Sequence, residues 1–494
     1  MVWNMDPVGI DHEAASSPPG ASAITTRSLN ECFYGERWAP EDRLAVLQAG
    51  VAFGANAYIY GPSADRRTGG LWRAPYEERE RLVLELFTRE AHAQGVEPIW
   101  RVSPAAPLEP DLAIRITDND EIAALVAKIE HVITLGFDRI LIAFDDLTAG
   151  LHHEDAAHFA GRDHPMAAAH ADVIQRVGKT VGFERLIVCP MHYWGSEPSR
   201  YRREFGRGFP AEVPVVWTGP SVISEQISAD DARLVAEEIG HPLWLWDNYP
   251  VNDWDMEGIS ALPLHAQPGL DNLVTPRRLP LAPSVDRDPR LGDVVAAMGS
   301  NLAITPWTGL PAALTMLDFA RRGAAYDPAD SWGRAVESLD VDADALSILA
   351  DSAGPGSGSR SRQPSTFAIG CAEVFIAQPD QRDAALDALT ATVDRHVAAL
   401  VTLRARPSRL IRELSPWLVE LGRQCQFARL AISALRATET EKSELAAELG
   451  GALARRSTVS VASGMGRTLA EYARGLCAGG TPRVDEPDAA SFGH

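Results

Sequence analysis

Short apolar runs that read as strands alternate with longer amphipathic stretches that read as helices, from about residue 28 to residue 330. No other feature constrains the fold as much. A strand that is apolar throughout and flanked by helical segments belongs in a parallel sheet, where neighbouring strands need a helical crossover. The runs cover 31–35, 57–61, 97–102, 139–147, 185–190, 213–217, 243–247 and 294–298, with Asn301 just beyond the last. Helical stretches lie over 39–54, 76–95, 118–136, 165–182, 228–240 and 311–322. Their ends carry the expected signals. Pro40 stands near one start, Asp118 or Asn119 caps another, Gly136 stops it, and Ser228 with Asp231 makes a variant of the capping box. Eight strand runs alternating with helical stretches predict a (β/α)8 TIM-type barrel, with a doubly wound open sheet as the alternative. The barrel is favoured because Asp145, Asp146, Tyr193, Trp217, Asp247 and Asn248 fall at or just after strand ends, which a barrel gathers at one mouth.

Composition changes after the barrel. Residues 352–365 are rich in Gly, Ser and Pro and read as a linker or disordered loop. Beyond them, 385–405, 411–437, 439–456 and 465–477 are Ala- and Leu-rich with helical periodicity, the pattern of an all-α helical bundle. The expected organisation is a flexible tail over 1–27 and a barrel over 28–330. A connecting helix and linker over 331–366, a helical bundle over 367–480 and a disordered tail over 481–494 follow.

The bulk numbers exclude several partners. A net charge of −21 argues against nucleic acid, whose phosphates need clustered Lys and Arg. No stretch is apolar for long enough to span a bilayer, and the first 25 residues lack a basic segment followed by an apolar one. The five cysteines are scattered, without metal-ligand spacing or a disulfide framework. The expectation is a cytoplasmic protein that does not bind membranes.

The run Arg139-Ile140-Leu141-Ile142-Ala143-Phe144-Asp145-Asp146-Leu147 ends in two adjacent carboxylates. At the lip of a buried strand they read either as a catalytic pair or as a helix cap beside a solvated acid. Two further strand ends carry Tyr193, and Trp246 with Asn248, Tyr249, Asn252, Asp253 and Trp254. Aromatic faces stack on sugar rings while Asn and Asp satisfy hydroxyls, so the cluster points to a sugar site. Any single member could equally be a core aromatic or a loop cap. The histidines and acids over 152–164 fit no helix-borne zinc motif, so no metal or cofactor is expected.

Six phrases in order carry a family resemblance. They are Phe33-Tyr34-Gly35 with Trp38, Tyr58-Ile59-Tyr60-Gly61-Pro62, Phe144-Asp145-Asp146, Cys189-Pro190 with Tyr193, Trp217-Thr218-Gly219-Pro220, and Trp246-Asp247-Asn248 with Asn252-Asp253. Together the chain over roughly 28–330 resembles glycoside hydrolase family 84, the β-N-acetylglucosaminidases that include the O-GlcNAcases. The resemblance implies removal of terminal β-linked N-acetylglucosamine, or a 3-modified relative, by a substrate-assisted retaining mechanism through an oxazoline. It implies that Asp145 polarises the acetamido N–H and that Asp146 is the acid and base. Tyr193 would bond the acetamido oxygen, Trp246 would line the acetamido pocket, and Asn248 would sit beside it. Asp253 would grip the 4- and 6-hydroxyls, Asn301 would bind a further hydroxyl, and Tyr34 lies among the sugar contacts. The family's proline after the asparagine is Leu302 here. Two departures fall near the sugar's 3-hydroxyl: Cys32 stands for the family's glycine and Ser63 for its lysine. A loop residue from Asp65-Arg66-Arg67 could compensate. Other readings are a specialised glycosidase for an N-acetylglucosamine-bearing small molecule in secondary metabolism, and a non-catalytic sugar-binding relative. In such a family the helical bundle could sit near the cleft or form a homodimer.

Overall fold

The computed structural model describes residues 23–147, 149–253, 279–353, 365–454 and 464–477. Trp254, the Gly/Ser-rich stretch over 354–364 and the acidic tail lie outside them. Eight parallel strands close in chain order: β1 (Thr26–Glu31), β2 (Ala57–Tyr60), β3 (Glu97–Val102), β4 (Arg139–Ala143), β5 (Leu186–Cys189), β6 (Val215–Trp217), β7 (Leu243–Asp247) and β8 (Val295–Asn301). The ladder of β1 with β8, Thr26 opposite Ala297 through Asn30 opposite Asn301, makes this a barrel and not an open sheet.

Strand side chains alternate between faces, and both faces of this sheet are buried. In β4, Ile140 and Ile142, with Phe144 after them, pack outward against the helices, while Leu141 and Ala143 pack inward. The same phase puts Ile99, Ile187, Cys189, Val216, Trp244, Trp246 and Ala297 inside. Two apolar layers explain why the strands read as continuous apolar runs.

The outer layer holds α1 (Pro40–Ala52), α2 (Glu78–Ala93), α3 (Asn119–Thr134), α4 (His153–Phe159), α5 (Pro165–Val181), α6 (Arg200–Gly206), α7 (Ala229–Ile239) and α8 (Pro306–Arg322). Asp118 caps α3 and Ser228 caps α7, as their residue types predict, and α7 ends on left-handed Gly240. Two readings shift, and two short helices went unread. β1 starts at Thr26, inside the stretch read as tail, and ends at Glu31, so residues 32–35 form a loop at the mouth. α8 begins at Pro306, ahead of the predicted 311, and carries Pro311 inside it. The short α4 and α6 have too few residues to show a period.

Past the barrel come α9 (Pro328–Glu337), α10 (Ala343–Ala353), α11 (Thr366–Ile376), α12 (Arg382–Ala405), α13 (Arg409–Glu413), α14 (Ser415–Arg436), α15 (Lys442–Leu453) and α16 (Met465–Cys477). They share a second core around Leu389, Trp417, Phe427, Leu449 and Leu469. The stretch predicted as one helix over 411–437 divides between α13 and α14, because Pro416 has no N–H to continue the ladder. At the junction with the barrel, Glu413 accepts from the backbone N–H of Trp307 at 2.9 Å and of Thr308 at 2.8 Å. It thereby caps α8, whose own Thr305 makes no side-chain cap.

Candidate active site

The pleat of β4 aims Asp145 inward, in phase with Leu141 and Ala143. The next residue of an extended strand would point back at the helices. Asp146 instead takes φ 52°, a left-handed conformation that Asp tolerates better than most residues, and both carboxylates line one cavity. The cavity measures about 280 Å³ and sits at the C-terminal mouth of the barrel.

The two acids have unlike partners. Asp146 accepts from the Tyr193 and Tyr34 hydroxyls, each at 2.7 Å. Asp145 faces a cation: Arg101 Nη2 donates to both of its oxygens at 3.0 Å. Burial pushes the Asp145 carboxyl above the usual range, the Arg101 charge pulls it back, and the Asp146 charge adds to the rise. Burial, followed by the Asp146 charge, also raises both tyrosine hydroxyls, so they remain donors.

The rest of the wall is a connected polar set. Asn248 Oδ1 accepts from Trp246 Nε1 at 3.0 Å and from Asn301 Nδ2 at 2.8 Å, and Asn248 Nδ2 donates to the Val222 carbonyl at 2.8 Å. The Tyr34 backbone N–H donates to Asp253 at 2.7 Å. Tyr34 thus ties Asp146 to Asp253 through its two ends. Asn301 Oδ1 is buried with no protein partner among the described residues. Val222 and Ile223, each more than a third exposed, add an apolar lip to the cavity.

Asp145, Asp146, Tyr34, Cys32, Tyr193, Trp246, Asn248, Asp253 and Asn301 therefore converge on one cavity. Ser63 does not line it; its hydroxyl accepts from the Gly35 N–H at 3.1 Å. Trp217 and Asp247 stand at strand ends but on the outward phase. Trp217 packs among the helices, and Asp247 forms a buried pair with Arg287, 2.8 Å from its Nε. The compensating loop is also committed elsewhere. Asp65 accepts from the Tyr60 and Tyr76 hydroxyls, Arg66 pairs with Glu109, and Arg67 pairs with Glu80. Arg101 is the residue the sequence reading passed over. The available signal was an arginine near the C-terminal end of β3, two residues beyond Ile99, where a side chain on the inward phase reaches the mouth. Among the described residues no cluster of His, Cys, Asp or Glu could hold a metal ion, and His152, His164 and His170 are occupied by a carbonyl, a helix cap and a tyrosine hydroxyl.

Residues 27–351 match the profile of the β-N-acetylglucosaminidase family. The Protein O-GlcNAcases of Rattus norvegicus and Mus musculus are each 26% identical over 258 residues, which is 51% of this chain and 27% of theirs. The chain thus spans well under half the length of these relatives. A solved structure of a mutant of the Thermobaculum terrenum O-GlcNAc hydrolase superposes with a TM-score of 0.78 at 25% identity, covering 91% of this chain and 94% of that one. The matched profile takes in the barrel from the second residue of β1 onward and every described residue that lines the cavity. The chain belongs to the β-N-acetylglucosaminidase family of glycoside hydrolases, family 84.

Proposed function

We propose that the chain removes a terminal β-linked N-acetylglucosamine, or a relative modified at the 3-position, with retention and by substrate assistance. The observation that carries this reading is a pair of adjacent carboxylates facing one cavity, one beside a guanidinium and the other beside two hydroxyls. In the proposed reaction the substrate's own acetamido oxygen attacks C1, the glycosidic C–O bond breaks, and an oxazoline forms. Asp145, ionised beside Arg101, accepts the acetamido N–H and stabilises the positive charge that develops there. A carboxylate has lone pairs to spare beyond the two contacts to Arg101. Asp146 gives a proton to the departing oxygen, then takes one from the water that opens the oxazoline. Most retaining glycosidases use a protein carboxylate as nucleophile, and here the substrate supplies it. Tyr193 bonds the acyl oxygen and Trp246 walls the acetamido pocket. Asn248, Asn301, Asp253 and Tyr34 hold the ring, and Cys32 faces its 3-side.

The test is hydrolysis of 4-nitrophenyl N-acetyl-β-D-glucosaminide. Asp146→Asn keeps a residue that accepts the left-handed backbone, and we expect it to lower kcat/KM roughly 10²- to 10⁴-fold; Asp145→Asn should cost a similar factor. Proton NMR should show the β-anomer of the free sugar first. Turnover that survives both substitutions, or an α-anomer appearing first, would sink the mechanism.

The same proposal includes a cytoplasmic setting, which five free thiols support. It also includes self-association through the helical region, supported by the exposed side chains of Ile376, Val401 and Val419. Among the described residues no helix is long and apolar enough to cross a membrane.

A further inference from the structure

The guanidinium beside the acid pair has more hydrogen-bonding capacity than the protein uses. Arg101 rises from the inward phase of β3 and packs over Gly61, where an added Cβ would come within 2.6 Å of the arginine's Cβ. Glycine at that position makes room for it. Of the five N–H donors of a guanidinium, only those on Nη2 are engaged, and both of their contacts go to Asp145. Nε and Nη1 have no acceptor among the described residues, yet neither is sealed from the cavity that Arg101 lines. The wall nearby includes the thiols of Cys32 and Cys189, which burial keeps neutral and which are poor acceptors. The open N–H groups therefore reach the cavity with no hydrogen-bond acceptor among the described residues.

Their place relative to a bound sugar follows from the ring. With Asp145 on the N–H at C2 and Asp146 at C1, the carbon on the other side of C2 is C3. Arg101 bonds Asp145, while Asp146 bonds only the two tyrosines among the described residues. Its open edge thus lies towards the 3-oxygen. Ser63, whose hydroxyl accepts from the Gly35 N–H, does not line the cavity, and Cys32 brings only a neutral thiol, so Arg101 is the cation lining the cavity there among the described residues. We infer that Arg101 is a specificity residue for an anionic group, and that the preferred substrate is an N-acetyl-β-hexosaminide carrying a carboxylate on its 3-oxygen. This rests on the assignment of Asp145 to the acetamido N–H made above. A carboxylate accepting from the open N–H groups gains charge-assisted hydrogen bonds in a partly desolvated site, where they are stronger than in water.

Three aryl glycosides test this: 4-nitrophenyl N-acetyl-β-D-glucosaminide, its 3-O-(1-carboxyethyl) derivative, and the methyl ester of that derivative, which has similar bulk without the charge. The wild type should favour the free acid over the ester by about tenfold or more in kcat/KM. Arg101→Met should erase that ratio, whatever it does to the absolute rates. Equal wild-type rates on acid and ester would overturn the inference. So would a loss in the variant that is equal on all three substrates, since Arg101 would then serve only to hold Asp145. In both cases hydrolysis of the unsubstituted glycoside would leave the proposed reaction standing. Folded wild type that turns over none of the three would overturn both. The wild-type acid-to-ester ratio decides the matter alone if the methionine variant does not fold.

Discussion

At Asp146 the backbone does what an extended strand cannot: it turns the second of two consecutive side chains to the same side as the first. The two acids then differ by their partners and not by their residue type. This sets a pH prediction. Asp145 must be ionised to accept the acetamido N–H, so kcat/KM should fall as pH drops through its raised pKa. Arg101 is what pulls that pKa back down. Arg101→Met should therefore move the acid limb of the kcat/KM profile to higher pH, by roughly one unit or more. An acid limb that stays put would remove Asp145 from the role assigned to it. Asp145, Asp146, Tyr193, Trp246 and Asn248 were legible as mouth residues because strand ends can be read from apolar runs. Arg101 was passed over, and Trp217 and Asp247 were placed at the mouth although they point outward, because that distinction depends on phase. A run that is apolar on both faces does not show which of its residues points inward.

The helix ends that could be read were those capped by a neighbour in sequence. Asp118 and Ser228 supply their own first turns. The start of α8 was misplaced because its cap arrives from α13, far along the chain. That cap carries a second pH signature. The Glu413 carboxyl is pushed up to about 7, chiefly by burial and against the hydrogen bonds it accepts. The folded chain then holds this proton more tightly than the unfolded chain does. The group's contribution to stability is present below the ordinary glutamate range and declines as pH rises through about 7. Glu413→Gln fixes a neutral cap whose amide oxygen can take the place of the one carboxylate oxygen that accepts both backbone N–H groups. Urea unfolding should find the two proteins similar near about pH 5 and the glutamine variant more stable near about pH 8. The reverse order at the higher pH would mean that the charged cap outweighs its burial.

Among the described residues there are three apolar clusters: one inside the barrel, one between the barrel and its helices, and one in the helical region. Trp307 and Leu339 pack against the last two. Trp307 also donates its ring N–H to Asp42 of α1, which pairs with Arg409 of α13. We expect the wild type to melt as one unit and Trp307→Ala to split the calorimetric trace into two transitions. A single transition in the variant would show that the cores are coupled through other contacts. The barrel was legible from its strand–helix rhythm and the helical region from the loss of strand signal. How the two meet was not, because an amphipathic helix shows which face is covered and not by what. At this scale the inward guanidinium has a kinetic consequence. The molecule carries a net charge of −21, and three of its acids, Asp145, Asp146 and Asp253, line the cavity with one arginine. An anionic glycoside is thus repelled at long range and held only on arrival. Salt screens fields beyond about 10 Å at 0.1 M while touching a buried contact much less. Raising ionic strength should therefore speed the capture of such a substrate and leave an uncharged glycoside unaffected, the opposite of ordinary electrostatic steering.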